Sequence, residues 1–214
     1  VVKLTKDCFA MNKERKRLTS LVEQEALAIA VSEYRNDRKF LVLTKSEWHP
    51  GIIGIVAARM VDKFNLPTAL LAEANDGNFR GSIRSNHKLR VNEALAECDD
   101  LLIAHGGHSA AAGFSIKKEN ITYLGERLNK IAYREFKNID LYKTIKPDAY
   151  ISFNEINYDL YSQLTLIGPF GVMNPTPIFW TRKCKVLDIY KLKGGHYKMI
   201  LNDGTSTIDA IKWN

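Results

Sequence analysis

Between residues 40 and 136 the sequence switches repeatedly between two hydrophobic periods, and this alternation limits what the chain can fold into. Phe40-Leu-Val-Leu-Thr44, Leu66-Pro-Thr-Ala-Leu-Leu-Ala72, Phe79-Arg-Gly-Ser-Ile-Arg-Ser85 and Phe114-Ser-Ile-Lys117 have the length and the β-branched or aromatic content of strands. Ile52 to Phe64, Asn92 to Glu97 and Asn120 to Phe136 have helical spacing instead. The last of these sets Ile121, Leu124, Leu128, Ile131 and Ala132 on one face. Strands alternating with helices predict an α/β domain. Within it, Gly54, Ala57 and Ala58 are small enough to let their helix lie close on a sheet, and Asn75-Asp-Gly-Asn78 reads as a turn. A further helix is predicted from Asn12 to Tyr34. Its basic cluster, Lys13, Arg15, Lys16 and Arg17, falls near the predicted start, the wrong end for the helix dipole. Either water or a phosphate partner must stabilise that charge.

The texture changes after about Asn138. Ala149 to Phe153, Ile178 to Thr181, Cys184 to Tyr190, His196 to Leu201 and Ser206 to Trp213 are short β-type runs. Gly194-Gly195 and Asn202-Asp-Gly204 separate the later ones with good hairpin turns. This part reads as a small antiparallel barrel or meander. Its last strand runs almost to Asn214, so the barrel is expected to be cut short, and a start at Val1 rather than Met hints at part of a longer protein.

Charge narrows the partners. The chain of 214 residues carries a formal net charge of +7 and an isoelectric point near 9.2. A basic excess favours polyanions, because each phosphate neutralised releases counterions. Cys8, Cys98 and Cys184 are far apart, which disfavours a disulfide framework or a cysteine zinc site and suits a reducing cytoplasm. The apolar stretch from Gly51 to Ala58 is far short of the roughly 20 residues that span a bilayer, so no membrane partner is expected.

Three stretches carry chemistry. In Arg80-Gly-Ser-Ile-Arg-Ser85, Arg80, Ser82 and Arg84 alternate along a strand and share a face. Two guanidinium groups and a hydroxyl so placed form either a phosphate clamp or a solvated strand face. In Ala104-His-Gly-Gly-His-Ser-Ala-Ala-Ala-Gly-Phe114, Gly106 and Gly107 permit close backbone approach to a ligand. The small residues that follow can open a helix whose free N–H groups bind an anion beside His108, or they can form a tight turn into a buried segment. A metal held by His105 and His108 lacks a clear third ligand. Trp48-His49-Pro50-Gly51 is either a ligand-facing loop or a strand-to-helix turn closed by a packed indole.

These stretches, in this order and spacing, resemble the DHHA1 domain of RecJ exonucleases in the DHH phosphoesterase superfamily. The Gly-Gly-His element is shared across the superfamily, whereas Trp-His-Pro-Gly points more narrowly to RecJ. Gly168-Pro-Phe-Gly-Val-Met-Asn-Pro-Thr-Pro-Ile-Phe179, and Asn202-Asp-Gly204 with Ile208-Asp-Ala-Ile211, resemble the OB-type domain that follows DHHA1 there. The expected layout is a connector helix over residues 1–38, a DHHA1-type α/β domain over 39–138 and a small all-β OB-like barrel domain over 139–214. The resemblance implies the part of a single-stranded-DNA-specific 5′→3′ exonuclease, active in repair and recombination, that holds DNA. Arg80, Ser82, Arg84, Ser85, Gly106, Gly107 and His49 would grip the 5′ end and nearby phosphates, and His108 would assist at the scissile region. On the OB-like part, Arg182, Lys183, Lys185, Lys191, Lys193, Tyr197 and Lys198 would track single-stranded DNA, with Tyr190 and Trp213 also able to stack. The family's two Mn2+ or Mg2+ ions would be held by an N-terminal DHH domain. No Asp-His-His motif occurs in these residues, so the chain itself is expected to carry no metal and not to hydrolyse DNA. That domain and single-stranded DNA are the implied partners, with single-strand-binding protein a further one. His105 departs from the wider family, which often places glycine there. Two alternatives remain open: the DHHA1 domain of another phosphoesterase acting on short oligonucleotides, and a non-catalytic protein-interaction module. A basic C-terminal β domain speaks against the first, and salt-dependent binding of single-stranded DNA separates the second.

Overall fold

A computed structural model describes residues 2–35, 38–86, 89–137 and 144–213. The chain divides into two compact units, residues 1–143 and 144–214. Among the described residues no helix is long and apolar enough to cross a membrane.

The first unit is a mixed five-stranded sheet with helices on both faces. Its strands are β1 (Leu41–Thr44), β2 (Thr68–Glu73), β3 (Phe79–Arg84), β4 (Leu102–Gly107) and β5 (Ala111–Ile116), in spatial order β1-β2-β3-β5-β4. β1 and β2 pair in parallel across α2 (Pro50–Phe64), and the remaining pairs are antiparallel. One face is covered by α3 (Val91–Ala96) and α4 (Ile121–Glu135), with Phe79, Ile83, Phe114, Leu124 and Leu128 in that core. The other face is covered only in part. There α1 (Val2–Arg35) and α2 bury Leu41, Leu43, Leu70 and Ala72 together with Val22, Ala26, Ala30, Ile53, Val56 and Met60.

Local chemistry explains why α2 starts where it does. His49 is its N-cap, and the ring Nδ1 accepts from Gly51 N at 3.0 Å. Pro50 follows in the first turn, where a missing N–H does no harm. Trp48 is buried, and its Nε1 donates to Glu25 Oε2 at 2.8 Å. Lys45 Nζ donates to Glu25 Oε1, also at 2.8 Å. Hydrogen bonds from Lys45 and then Trp48 hold the Glu25 carboxyl below the usual carboxylate range, against an opposing effect of burial. One carboxylate thus fastens α1 to the β1–α2 turn.

Helix α1 begins about three turns before Asn12, where its hydrophobic periodicity starts, and this resolves the dipole conflict. Its basic cluster sits well inside the helix, where Glu14 accepts from Arg17 at 2.7 Å and Asn12 from Arg15 at 2.9 Å.

The second unit contains β6 (Ala149–Tyr150), α5 (Tyr158–Leu166), β7 (Phe179–Trp180), β8 (Lys185–Lys191), β9 (Tyr197–Asn202) and β10 (Thr207–Lys212). Strands β8, β9 and β10 form a three-stranded antiparallel sheet, and β6 pairs with β7 in parallel. Strands β8 to β10 thus form the antiparallel meander read from the β-type runs, and β6 and β7 make a separate pair. Sequence periodicity did not single out α5, although Asn157 caps it by accepting from Leu160 N at 3.0 Å. Asp203 sits in the β9–β10 turn and accepts from Thr205 N and Oγ1 at 2.8 and 2.7 Å and from Phe153 N at 2.7 Å. Burial opposes ionisation there, but these hydrogen bonds outweigh it and hold the carboxyl well below the usual range.

Candidate nucleic-acid interface

The candidate site lies where helical cover on the α2 face of the sheet ends. Register fixes which residues share that face. Thr68, Leu70 and Ala72 on β2 lie opposite Arg84, Ser82 and Arg80 on β3. These in turn lie opposite Ala111, Gly113 and Ser115 on β5, and Gly106 and Ala104 on β4 continue the rows. Beneath α2 the face is apolar. From β3 outward it becomes arginine, serine, glycine and alanine. The result is a shelf with a flat floor and a cationic inner edge.

Gly54 of α2 marks that edge. A Cβ built there would lie 2.9 Å from Arg84 Nη2 and 3.0 Å from Ser82 Oγ. Glycine therefore lets the guanidinium lie against the helix. Sequence reading valued Gly54 only for close approach to a sheet and missed this contact.

The two arginines differ in electrostatic state. Arg80 is neutralised, with Nη2 at 2.8 Å from Asp76 Oδ2 and Nη1 donating to Ser115 Oγ at 2.6 Å. Arg84 donates through Nη1 to Ser82 Oγ at 2.9 Å and to Ile83 O at 2.8 Å. It is half-buried, and among the described residues it has no carboxylate partner. A partly desolvated guanidinium without a counter-ion favours an anion more than a fully hydrated one does. A cavity of about 260 Å³ joins Arg84 and Ser82 to Gly106, Gly107, Ala111, Ala112 and Gly113. A second hollow of about 360 Å³ adjoins it at Gly113 and takes in Arg80 and Ser115.

Of the two readings left open for the glycine-histidine stretch, a helix opening or a tight turn into a buried segment, the structure has the turn. Leu102–Gly107 and Ala111–Ile116 are strands β4 and β5, and residues 108–110 are the turn between them. The donors of a helix N-terminus are therefore not present at this point. His108 N donates to Ala111 O at 2.8 Å, while Ser109 O and Ala110 O accept from Val91 N and Ser85 N, both at 2.9 Å. The turn is thus pinned to the start of α3 and the end of β3. Gly107 has φ +142°, and a Cβ there would lie 2.5 Å from Ala111 O. A Cβ at Gly106 would meet nothing within 4 Å, so this glycine keeps the floor open rather than relieving a clash.

The structure brings Ser82, Arg84, Gly106 and Gly107 to one cavity, with Arg80 at its neighbour. His108 is exposed and directly follows the cavity wall without lining it. Ser85 is nine-tenths buried, and among the described residues its Oγ has no hydrogen-bond partner. His49 uses its ring as a helix cap and borders a different groove, beside Met11, Arg15 and Ile52. His105 lies on the opposite sheet face, 3.1 Å from Asp99. Among the described residues no group of three or more His, Cys, Asp or Glu is placed to hold a metal ion.

In the second unit the basic residues do not share one face. Register sets Lys185, Tyr190 and Lys198 on one side of the sheet and Lys191, Tyr197 and Lys212 on the other. Lys198 is paired with Asp209 at 2.8 Å, and Lys212 lies over the Tyr197 ring. Tyr190 donates its hydroxyl to Asp188, and Trp213 lies edge-on to His196. Lys183 and Lys193 flank β8. Arg182 lies over two aromatic rings, 5.5 Å from the centroid of Trp180 and 5.9 Å from that of Tyr150.

Residues 37–134 match the DHHA1 domain family, and residues 147–214 match the RecJ OB domain family. The chain is 31% identical to the single-stranded-DNA-specific exonuclease RecJ of Bacillus subtilis, over 95% of its own length and 26% of that protein's. It is 29% identical to RecJ of Salmonella typhimurium, over 99% of its length and 38% of that protein's. Among solved structures it is similar to RecJ from Thermus thermophilus in complex with Mn2+, with a TM-score of 0.80, 26% identity and coverage of 99% of this chain and 30% of that one. The Mg2+ complex of the same protein has the same TM-score and identity. The chain thus spans about a quarter to two-fifths of the length of these relatives.

Proposed function

Because this chain belongs to the RecJ family as its DHHA1 and OB portion, we propose that it grips single-stranded DNA for a 5′→3′ exonuclease. Arg84 is the observation that carries the reading. It is half-buried, has no carboxylate partner among the described residues and is held by Ser82 and the Ile83 carbonyl over a floor of glycine and alanine. A phosphate entering the cavity would complete the charge balance that Arg80 already has from Asp76. Ser82 fixes the guanidinium plane, and the Gly106–Gly113 pair leaves room for a backbone with bulk on either side. His108, at the pinned turn beyond Gly107, would stand at the rim of that path and donate to a more remote phosphate oxygen.

In this reading hydrolysis belongs to a DHH domain. Mg2+ or Mn2+ bound there would activate water and stabilise the leaving oxygen. The whole enzyme would act in the cytoplasm, in DNA repair and recombination, with DNA and the DHH domain as partners. Single-strand-binding protein is a further candidate partner.

Filter binding of the 214-residue chain tests it. The chain should prefer single-stranded oligonucleotides to blunt duplex of equal length. It should release no nucleotides from either in the presence of Mn2+. Equal affinity for duplex would remove the single-strand reading, and robust Mn2+-dependent degradation would show that the chain carries catalytic groups of its own.

A further inference from the structure

We propose that Tyr150, Trp180 and Arg182 form a stacking platform for a base of single-stranded DNA, separate from the phosphate cavity of the first unit. The inference rests on the reading of this chain as a single-strand binder, and it assigns a role to two aromatic residues that sequence motifs leave out. Tyr150 ends β6 and Trp180 ends β7, and the parallel register sets the two residues side by side. Their rings meet edge to face, with centroids 5.2 Å apart and planes 71° apart. Both remain open to solvent, with Tyr150 at 52% and Trp180 at 41% exposure. Large aromatics at a unit's surface usually serve contact rather than core.

Arg182 identifies the ligand. Its guanidinium lies over both rings, and among the described residues it has no ion-pair partner. A peptide of neutral or basic character would leave that charge unanswered. A single strand answers both features at once, with a base on a ring face and the adjoining phosphate on the guanidinium. Lys183 and Lys185 follow within three residues and continue the positive charge along the chain. Tyr158, Tyr161, Phe170, Tyr190 and Trp213 of this unit are exposed too, but among the described residues Tyr150 and Trp180 are the pair that shares a guanidinium.

The test compares two ligands with equal numbers of phosphates. One is an oligothymidylate of about 12 residues, within the site size of such domains. The other is a strand of the same length made only of abasic sites. Trp180→Ala should weaken binding of oligothymidylate about tenfold, the scale of one lost base–aromatic stack, and leave the abasic strand unchanged. Trp180→Phe keeps a ring face and should stay within about threefold of the parent. In a Trp213→Phe background, emission from Trp180 should be quenched by oligothymidylate, since the third tryptophan, Trp48, is buried. Equal weakening on both ligands, or none on either, overturns the platform. Arg84→Ala separates the two ideas, because it should weaken both ligands. If Arg84→Ala acts and Trp180→Ala does not, the platform falls and the phosphate cavity stands. The reverse result removes the cavity and keeps the platform.

Discussion

Replacing Gly54 by alanine should move stability and DNA affinity in opposite directions. Gly54 is the fifth residue of α2, inside the helix, where alanine is favoured over glycine by about 0.8–1 kcal/mol. The added methyl would lie 2.9 Å from Arg84 Nη2 and 3.0 Å from Ser82 Oγ, closer than carbon atoms normally come to such groups. Both obstacles are side-chain ends that can rotate away, so the fold can relieve the clash. The guanidinium cannot do so and keep its place over the cavity. A charge-assisted hydrogen bond contributes about 1.5–3 kcal/mol, and displacing Arg84 should forfeit much of one. The expected result is a urea midpoint equal to or above the parent's and an affinity for single-stranded DNA lower by about tenfold, the equivalent of 1.4 kcal/mol. Urea unfolding followed by tryptophan emission gives the first quantity, and fluorescence anisotropy of a labelled oligonucleotide gives the second. A Gly54→Ala chain that gains stability and binds as the parent does would refute the reasoning, since the position of Arg84 would then not matter for DNA.

Other expectations follow from the same geometry. Gly107→Ala should lower stability by about 2–3 kcal/mol in urea unfolding, because φ +142° and a carbonyl 2.5 Å from the new Cβ leave it no relaxed position. Gly106→Ala, with open space at its Cβ, should be neutral or stabilising by up to about 1 kcal/mol, and equal losses for the pair would contradict the turn geometry. Glu25 has a depressed carboxyl in the folded chain, so its contribution is present above the ordinary carboxylate range, near pH 4, and disappears as pH falls through the lower folded value. Glu25→Gln should therefore narrow the stability difference between pH 7 and pH 3, and an unchanged pH profile would show that the Lys45 and Trp48 bonds do not persist in solution. Thiol labelling of the native chain should modify Cys8 and Cys184 quickly and spare Cys98, which is buried and whose thiol is pushed up to about 11 by that burial. Rapid modification of all three would mean that α3 and the strand it covers open readily.

Legibility differed between elements for physical reasons. Strands β1 and β3 and helix α4 carry their burial in a local period, so their faces could be read directly, and β2 shows itself as a continuous apolar run. The sharing of one face by Arg80, Ser82 and Arg84 follows from the same two-residue repeat, which the sheet preserves. Strand β4 was missed because Ala104-His-Gly-Gly has none of the branched residues that mark a strand. It is a strand because β5 pairs with it, which is a non-local fact. The small residues of β5 left a helix opening and a tight turn both open for a related reason. Their fit depends on Phe114, which lies over Gly81 so closely that a Cβ there would be 2.1 Å from the ring. No local pattern announces a glycine on one strand beneath an aromatic on the next. His49 shows a different limit. Its place in the motif was plain, but only the coordinates reveal the ring accepting from Gly51 N. The stack of Tyr150, Trp180 and Arg182 needs β6 and β7 to come together from about thirty residues apart, so no nearby motif carries it.

The dependence of single-strand affinity on salt, measured for the parent chain and for Arg84→Ala, bears most directly on the central claim. Each phosphate held by a cation should add about 0.7 to the slope of log affinity against log salt for a single strand. The parent should show a steep decline, and Arg84→Ala should bind more weakly with a slope shallower by about 0.7. Parallel lines for the two chains, or a flat line for the parent, would mean that no phosphate rests on Arg84.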